Sequence, residues 1–404
     1  MKMTDISSLN IRLRSLTLFR ELLEDPVVAA LGDYLACGDA SPVAEAVSKY
    51  AAFVSRLYGS GSASLAKYVQ RIAGDSENAY IRLVGRGKTP SAEMAAALEA
   101  ELDILQAVAD LTPEKLRDGL KWDGFLPGFA GETVDIANNY RQRVENISRF
   151  GYGIYAKYHM FYLSPKGVIV PVRHPDGIRL GSLVDYEREQ KIILDNTMAL
   201  LEGKPAANIL LTGDAGTGKS STVKAVVNEL HDRGLRILEV RKEQLHLIPE
   251  ILDELNANPL KFILFIDDLS FQKSDDNFSA LKAILEGSVS ARSRNVVIYA
   301  TSNRRHMVRE SFSDRDGDDV HHNDTIQEII SLSERFGIQI TFQKPDKKTY
   351  LDIVRNLARE QGLGTDPQEL EQQAERFALN RGGRSARAAR QFVDSLVAKE
   401  DINE

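Results

Sequence analysis

The chain contains almost no cysteine and no long apolar run. Cys37 is the only cysteine among 404 residues, so no disulfide can form within the chain and no thiol cluster can bind zinc. No stretch approaches the roughly 18 consecutive apolar residues of a membrane span, and the N-terminus, MKMTDISSLN, lacks a basic region followed by an apolar run. These absences predict a cytoplasmic protein that is neither exported nor inserted into a membrane.

The chain also lacks an excess of positive charge. Its 51 Lys and Arg are outnumbered by 58 Asp and Glu, which gives a formal net charge of -7. Nonspecific DNA binding usually requires a large positive field, so the composition does not favour a nucleic-acid partner. Most of the net negative charge lies in residues 310–328, where Arg315 is the only Lys or Arg among seven acids, and we predict a solvated loop there.

The hydrophobic spacing divides the chain into four predicted regions. Residues 1–148 have apolar residues at helical spacing between breakers such as GDASP and GSGSAS, whereas residues 149–180 contain β-rich runs around SPKG that indicate a hairpin and a linker. In residues 181–343 short β-rich runs alternate with helical segments, and residues 344–404 are helical again. Such alternation is typical of a parallel sheet covered by helices on both faces, so we predict an α/β fold for the third region.

A glycine-rich motif follows the first apolar strand of this α/β region. GDAGTGKS matches the pattern G-x-x-x-x-G-K-[ST] directly after the strand ANILLTG and directly before a helical segment. The glycines allow backbone N–H groups to surround phosphate groups, the helix N-terminus adds a positive dipole, and Lys219 can reach the β- and γ-phosphates. Ser220 would then bind Mg²⁺. The predicted nucleotide-binding residues are Gly213, Asp214, Ala215, Gly216, Thr217, Gly218, Lys219, Ser220 and Ser221.

A second apolar strand, KFILFIDD, ends in paired carboxylates. Such a strand can direct an acid at a metal ion from its carboxyl end. We therefore predict that Asp267 binds Mg²⁺ through water, beside Ser220, and that Asp268 orients the attacking water. A buried strand ending in a solvated turn would explain the apolar residues, but it would not explain two adjacent acids.

Further polar residues follow the later strands. Asn303 ends the apolar strand VVIYATSN, and it is a second candidate for holding the attacking water if this strand lies beside the strand of Asp267. Arg335 precedes the last strand in SERFG, and Arg384 and Arg387 open the final helix in GGRSAR. Any one of these arginines could be a surface cation, whereas their order along the chain favours functional roles.

Together these motifs resemble those of the AAA+ ATPases. The phosphate loop, FIDD, ATSN, ERFG and GGR stand in the order of Walker A, Walker B, sensor 1, arginine finger and sensor 2 of that superfamily, over about residues 183–392. More narrowly, FIDDLSF, YATSNRRH, SLSERFG and RGGRSARAARQF are similar to an uncharacterised bacterial AAA+ family known as domain of unknown function 815. The resemblance implies an AAA+ αβα P-loop sandwich with a parallel sheet, a C-terminal helical lid in residues 344–404 and a mainly α-helical N-terminal region.

The resemblance also implies ligands, an assembly and a role for each site residue. Asn303 would sense the γ-phosphate, Arg335 would reach into the site of a neighbouring subunit, and Arg384, or alternatively Arg387, would contact the γ-phosphate from the lid. Residues 183–189, LVDYERE, lie where the family's adenine-side segment would be. The implied ligands are ATP and Mg²⁺, and the implied assembly is a homo-oligomer, either a ring or a filament, with a hexamer as the family's usual number. We further predict a protein partner for the N-terminal region.

One departure from the superfamily leaves the function open. Many AAA+ members have Glu at the position of Asp268, and the shorter side chain could hold the attacking water less well, which predicts slow hydrolysis. We predict an ATPase that remodels or recruits a macromolecular partner. The alternatives are an ATP-binding switch or scaffold with negligible hydrolysis, and a DNA-replication or helicase-loader-like accessory ATPase.

Overall fold

The chain forms two compact units, Met1–Lys157 and Tyr158–Glu404. The predicted boundaries at residues 148, 180 and 343 stay predictions, and the acidic segment of residues 310–328 lies outside the part of the chain described. The computed structural model describes residues 3–37, 41–118, 120, 122–183, 185–269, 281–285, 294–303, 334–364 and 366–403.

The first unit is helical, as its hydrophobic spacing predicts. Besides a 3₁₀ helix at Arg20–Glu24, its helices are α1 (Met3–Arg14), α2 (Pro26–Leu35), α3 (Val43–Gly59), α4 (Leu65–Asp75), α5 (Ala79–Gly85), α6 (Ala92–Ala109), α7 (Pro113–Arg117), α8 (Ile136–Glu145), α9 (Ile147–Phe150) and α10 (Ile154–Lys157). Their apolar faces bury one core, in which the side chains of Phe19, Tyr50, Phe53 and Leu102 are fully enclosed.

Side-chain caps determine where several of these helices begin. Asp25 accepts hydrogen bonds from the backbone N–H groups of Val27 and Val28, which satisfies donors that the first turn of α2 cannot pair internally. The hydroxyl of Tyr68 donates to the same carboxylate at 2.7 Å, so this cap also joins α4 to α2. Other caps of this type are Ser64, Asn78, Ser91, Thr112 and Asp135.

A buried carboxylate fixes the turn that follows α1. Glu101, on α6, is only 4% exposed. It accepts hydrogen bonds from the backbone N–H groups of Thr17 at 2.8 Å and of Leu18 and Phe19 at 3.0 Å, and from the hydroxyl of Thr17. These are donors that would otherwise be buried without partners, which is costly. Glu101 thus holds the N-terminal turn against α6.

The second unit combines a sheet with helices. Its strands are β1 (Met160–Leu163), β2 (Ile169–Pro171), β3 (Ile209–Gly213), β4 (Leu235–Glu239), β5 (Lys261–Ile266), β6 (Val296–Ser302) and β7 (Ile338–Phe342). Its helices are α11 (Glu187–Leu201), α12 (Lys219–Leu230), α13 (Ile248–Asn256), α14 (Lys347–Glu360), α15 (Pro367–Asn380) and α16 (Ala386–Asn403), with 3₁₀ helices at Leu180–Ser182, His231–Arg233 and Lys242–Leu247.

The strands form one seven-stranded sheet in the order β2-β1-β4-β5-β6-β3-β7. All neighbouring pairs are parallel except β1 with β2, which form an antiparallel hairpin at one edge. Every residue of β3 and β6 is buried, as is typical of strands covered on both faces. Alternate strand residues pack against α11 and α12, for example Ile209 and Phe265 against Val223 and Val226.

The last three helices form a small bundle of their own. Tyr350 and Val354 of α14, Ala374 of α15 and Phe392 of α16 share a core that is separate from the sheet. This bundle, α14 to α16, is called the lid below. The predicted fold class is confirmed: an α/β sandwich with a mostly parallel sheet, a C-terminal helical bundle and a mainly helical N-terminal region.

Within the described ranges, no helix combines the length and the apolar character that crossing a bilayer requires.

Replacing the buried carboxylate of the first unit is expected to destabilise that unit. Glu101→Ala leaves the N–H groups of Leu18 and Phe19 without acceptors, so the free energy of unfolding should fall by about 2 kcal/mol or more. Urea unfolding followed by the fluorescence of Trp122, the only tryptophan, reports on this unit. Glu99→Ala is the matched control on the same helix, since Glu99 forms an exposed ion pair with Arg141. Equal urea midpoints for the two variants would contradict the assignment.

Candidate functional site

The carboxyl ends of three neighbouring strands meet at one edge of the sheet. β6 pairs in parallel with β5 on one side and with β3 on the other. The polar residues that follow these strands are therefore brought together, namely the loop after Gly213, the acids after Ile266 and the amide after Ser302. The condition under which Asn303 would join the predicted site, a strand next to that of Asp267, is met.

The glycine-rich loop turns sharply between β3 and α12. Gly213 has φ +138°, and a Cβ there would collide with the carbonyl oxygen of Phe342 on the neighbouring strand β7. Gly216 has φ +80°, which is also a left-handed conformation that other residues rarely adopt. The hydroxyl of Thr217 donates to the carbonyl of Asp214 at 2.9 Å and closes the loop.

Lys219 is buried at the centre of this loop. Its side chain is only 5% exposed, and its Nζ donates to the carbonyls of Gly213 and Asp214 at 2.8 Å and to the Oδ1 of Asn303 at 3.0 Å. Burial lowers the pKa of Lys219, while the surrounding carboxylates oppose that shift. The ammonium thus links the glycine-rich loop to the end of β6.

Asp267 is held by two hydroxyl groups. Ser220, in the first turn of α12, and Thr301, in β6, each donate to its Oδ1 at 2.6 Å. The Oγ1 of Thr301 also accepts the backbone N–H of Asp268 at 2.9 Å. One threonine hydroxyl therefore fixes the position of both acids.

Asp268 occupies a left-handed backbone conformation, with φ +55°. The Nδ2 of Asn303 donates to the Oδ1 of Asp268 at 2.6 Å. The Oδ1 of Asn303 accepts a hydrogen bond from the Nζ of Lys219. Asn303 is therefore bonded to the buried ammonium on one side and to the second acid on the other.

These residues line a cleft of about 520 Å³ between the sheet edge and the lid. A volume of this size suits a ligand as large as a nucleotide. Gly213 and Asp214 do not line the cleft directly but accept hydrogen bonds from Lys219 through their carbonyls. The predicted residues that line the cleft directly are Ala215, Gly216, Thr217, Gly218, Lys219, Ser220, Ser221, Asp267, Asp268 and Asn303.

The two lid arginines named from the sequence have different surroundings. The guanidinium of Arg384 is paired with Glu375 of α15 at 2.7 and 2.9 Å, and Arg384 does not line the cleft. Arg387 and Arg390 of α16 do line it. The backbone N–H of Arg387 donates to the carbonyl of Gly216 at 3.2 Å, so the start of α16 touches the glycine-rich loop.

Arg335 lies at the amino ends of the strands, whereas the cleft lies at their carboxyl ends. β7 runs parallel to β3, with Ile338 opposite Ile209 and Phe342 opposite Gly213. Arg335 precedes Ile338, whereas the glycine-rich loop begins beside Phe342. The length of β7 between these two residues, at about 3.3 Å per residue, separates Arg335 from the loop by about 13 Å or more. The structure therefore does not bring Arg335 to the cleft of its own chain.

One wall of the cleft is the segment that precedes α11 and includes the 3₁₀ helix Leu180–Ser182. Asp176, Ile178, Ser182 and Leu183 line the cleft from this side. The segment is held by Asn228, a buried residue of α12 whose Nδ2 donates to the carbonyls of Asp176 and Ile178, both at 2.8 Å. Asn228 connects this wall to the helix that follows the glycine-rich loop.

Two histidines lie behind the anchor of this wall. The Nε2 of His159 is 3.1 Å from the Oδ1 of Asn228, and the ring of His159 stacks on that of His231 with centroids 4.4 Å apart. Burial, and then the neighbouring His231, lower the pKa of His159 below its ordinary value. His159 is therefore neutral in the folded protein near neutral pH.

Sequence reasoning missed several of these residues. Thr301 carried a weak signal, since it belongs to the polar end of the ATSN strand. Asn228 carried none, because an asparagine within a helical pattern is not distinctive until its partners are known. The lid residues Arg390, Gln391 and Asp394 also line the cleft, and they could have been found by extending the helical face of Arg387.

The donor set fits a divalent cation and a phosphate group. Ser220 and Asp267 offer adjacent hydroxyl and carboxylate oxygens, which are the ligands that Mg²⁺ prefers. Lys219 and the N-terminus of α12 supply positive charge on the other side of the same cleft. The chemistry of the site thus fits a phosphate group beside a divalent cation, and ATP and Mg²⁺ remain predictions.

Comparison with known proteins identifies the family. The model of the family described as "Protein of unknown function (DUF815)" matches residues 156–400, so the resemblance seen in the motifs is confirmed. No curated protein matches this chain in sequence.

Similar solved structures include the RuvB Holliday junction branch migration motor of Thermotoga maritima. That structure is 16% identical to this chain, with a TM-score of 0.37, and the match covers 54% of this chain and 63% of that one. Two point mutants of the same protein give TM-scores of 0.36 at 15% identity and 0.38 at 16% identity over the same shares. This chain thus spans less than two thirds of the length of those proteins.

The lowered pKa of His159 predicts a loss of stability in acid. The unfolded chain binds a proton near the ordinary value of 6.5, whereas the folded protein resists it. The stabilising contribution is therefore present above about pH 6.5 and is lost as the pH falls through the lowered folded pKa. His159→Gln keeps a donor for Asn228 but cannot titrate, so the melting temperature of the wild type should fall relative to this variant between about pH 7.5 and pH 5. If the melting temperatures of the wild type and the variant change equally with pH over that range, the prediction is wrong.

Proposed function

We propose that this chain, which belongs to the DUF815 family, is a Mg²⁺-dependent AAA+ ATPase that hydrolyses ATP slowly at subunit interfaces. The observation that carries the proposal is the convergence of Lys219, Ser220, Asp267 and Asn303 on one cleft. Cation, metal ligands and polar amide are the groups that phosphoryl transfer to water requires. Lys219 and Ser220 come from the start of α12, Asp267 follows β5 and Asn303 follows β6.

The residues of the cleft divide the work of the proposed reaction. Lys219 would bind the β- and γ-phosphates, with the N–H groups of the glycine-rich loop around them. Ser220 and Asp267 would hold Mg²⁺, which when bound neutralises charge on the phosphate oxygens. Asp268 would orient the attacking water and accept its proton, and Asn303 keeps the carboxylate of Asp268 in place through their 2.6 Å hydrogen bond.

A subunit of this kind needs a neighbour to complete its site. The register of β7 with β3 puts Arg335 before the amino end of β7, at the end of the sheet opposite its own cleft. An arginine in that position can serve a cleft only if the cleft belongs to another copy. We therefore propose a homo-oligomer, either a ring or a filament and a hexamer by family resemblance, in which Arg335 acts in trans.

The lid would supply a cation from the same chain. Arg384 is engaged by Glu375 within the lid, whereas Arg387 lines the cleft and its backbone contacts Gly216. We assign contact with the γ-phosphate to Arg387 and a structural role to Arg384.

One observation supports a second candidate, an ATP-binding switch with negligible hydrolysis. The Oδ1 of Asp268 already accepts a short hydrogen bond from Asn303, and its side chain is one methylene shorter than that of glutamate. Both features limit how well Asp268 can hold a water molecule. In this candidate ATP would stabilise one arrangement of the subunits, and the helical first unit would recruit a protein partner.

Two inactive variants should restore each other's activity. Lys219→Ala removes the phosphate-binding cation, and Arg335→Ala removes the arginine supplied to the neighbour, which is worth about a thousandfold in rate. Each variant alone should be nearly inactive, and wild-type ATP hydrolysis per subunit should rise with protein concentration. An equal mixture should recover about a quarter of the wild-type rate, because a Lys219→Ala subunit still offers Arg335 to its neighbour's intact cleft.

Wild-type activity that is independent of concentration, with no recovery on mixing, would exclude the role in trans. Tight binding of ATP with a rate equal to that of Lys219→Ala would favour the switch.

The two lid arginines should differ in their effect on nucleotide binding. Arg387→Ala removes a cation from the cleft and is expected to weaken ATP binding about tenfold or more. Arg384→Ala breaks the pair with Glu375 and should change the affinity by less than about threefold, at the cost of lid stability. Isothermal titration with an ATP analogue measures both. The opposite order of effects would return the role to Arg384.

A further inference from the structure

The entrance to α11 adopts an unusual backbone conformation beside the cleft. Asp185 and Tyr186 have φ +72° and +70°, and in the described part of the chain Asp268 is the other non-glycine residue with positive φ. A bulky side chain rarely occupies this region, because its Cβ crowds the backbone. Such a conformation persists only where the surroundings hold it, and it is found most often at functional sites. Tyr186 itself lines the cleft.

Tyr186 is held from two directions. On one side, the Nε2 of Gln190 donates to the carbonyl of Asp185 at 3.0 Å, and the backbone N–H of Gln190 donates to the carbonyl of Tyr186 at 2.8 Å. On the other side, the ring of Tyr186 packs on that of Phe342 with centroids 4.9 Å apart, and its hydroxyl donates to the carbonyl of Gln343. Burial raises the pKa of this hydroxyl, so it remains a donor at neutral pH.

The partner of that hydroxyl belongs to the connection between the sheet and the lid. Residues 343–346, here called the lid hinge, follow the last residue of β7 and end at Asp346, which caps α14 by accepting the N–H of Thr349 at 2.8 Å. The next hinge residue, Lys344, lies 3.8 Å from the carboxylate of Asp214 in the glycine-rich loop. The hinge is thus in contact with Tyr186 on one side and with the glycine-rich loop on the other.

We propose that Tyr186 is a positioning residue that couples occupancy of the cleft to the setting of the lid hinge. The inference rests on the proposed nucleotide binding. A ligand in the cleft contacts Tyr186 and stabilises its left-handed conformation, and that conformation keeps the hydroxyl on the carbonyl of Gln343. A ligand can shift an equilibrium only through contacts that differ between the two states. The hydrogen bond from Tyr186 to Gln343 is such a contact, and it does not involve the lid residues that line the cleft.

The test is hydrogen–deuterium exchange on the full chain, with and without Mg²⁺ and the non-hydrolysable analogue AMP-PNP. The informative amides are those of Lys344, Asp346 and Lys347, which lie outside the cleft. In the wild type AMP-PNP should slow exchange there about tenfold. Tyr186→Phe keeps the ring but loses the hydrogen bond, so most of the slowing at the hinge should disappear at saturating AMP-PNP. Slowing at the start of α16, which lines the cleft directly, should remain.

Tyr58→Phe is the matched control, because Tyr58 also donates its hydroxyl to a backbone carbonyl, that of Gly128 in the first unit. It should behave as the wild type. Full slowing at the hinge in Tyr186→Phe at saturating AMP-PNP would overturn the coupling, as would a wild type that binds AMP-PNP without any slowing there. A wild type that binds no AMP-PNP would instead refute the proposed function on which the inference rests.

Discussion

The burial of the Lys219 ammonium is the constraint from which the rest of the site follows. A charge that is 5% exposed must be surrounded by acceptors, because an unpaired buried ion costs several kcal/mol, on the order of the whole stability of a domain. Two of its acceptors are carbonyls of the glycine-rich loop, which can point inward only because Gly213 and Gly216 adopt left-handed conformations. The third is Asn303, which is in reach only because β6 lies between β3 and β5.

The same strand order explains the paired acids. Thr301 of β6 donates to Asp267 and accepts the N–H of Asp268, so the turn after β5 is built against its neighbouring strand. That turn places Asp268 at φ +55°, a conformation in which aspartate and asparagine are enriched over longer side chains. Aspartate at a position where many AAA+ members have glutamate is therefore consistent with the local backbone.

Local patterns made the fold class and the centre of the site predictable. The glycine spacing, the apolar strands and the acids after Ile266 are properties of short segments. Their place in the site can therefore be predicted without knowing which residues they contact in the folded chain. The roles of Glu101, Asn228 and Tyr186 could not be read in this way. Each depends on a hydrogen bond to a carbonyl or N–H group remote in the chain, as with Tyr186 and Gln343. The sequence left the choice between Arg384 and Arg387 open for the same reason, since it could not show that Arg384 is paired with Glu375 on another helix.

The parts of the cleft differ in how firmly they are held. The floor belongs to the central strands of a sheet buried on both faces, so its residues can move only if the sheet does. The walls have no such support. One is the segment before α11, which is anchored through Asn228, and the other is a bundle with its own core, joined to the sheet through residues 343–346. A ligand would therefore change the walls before the floor. The Tyr186 hydroxyl connects one wall to the base of the other, and the proposed coupling acts through this hydrogen bond.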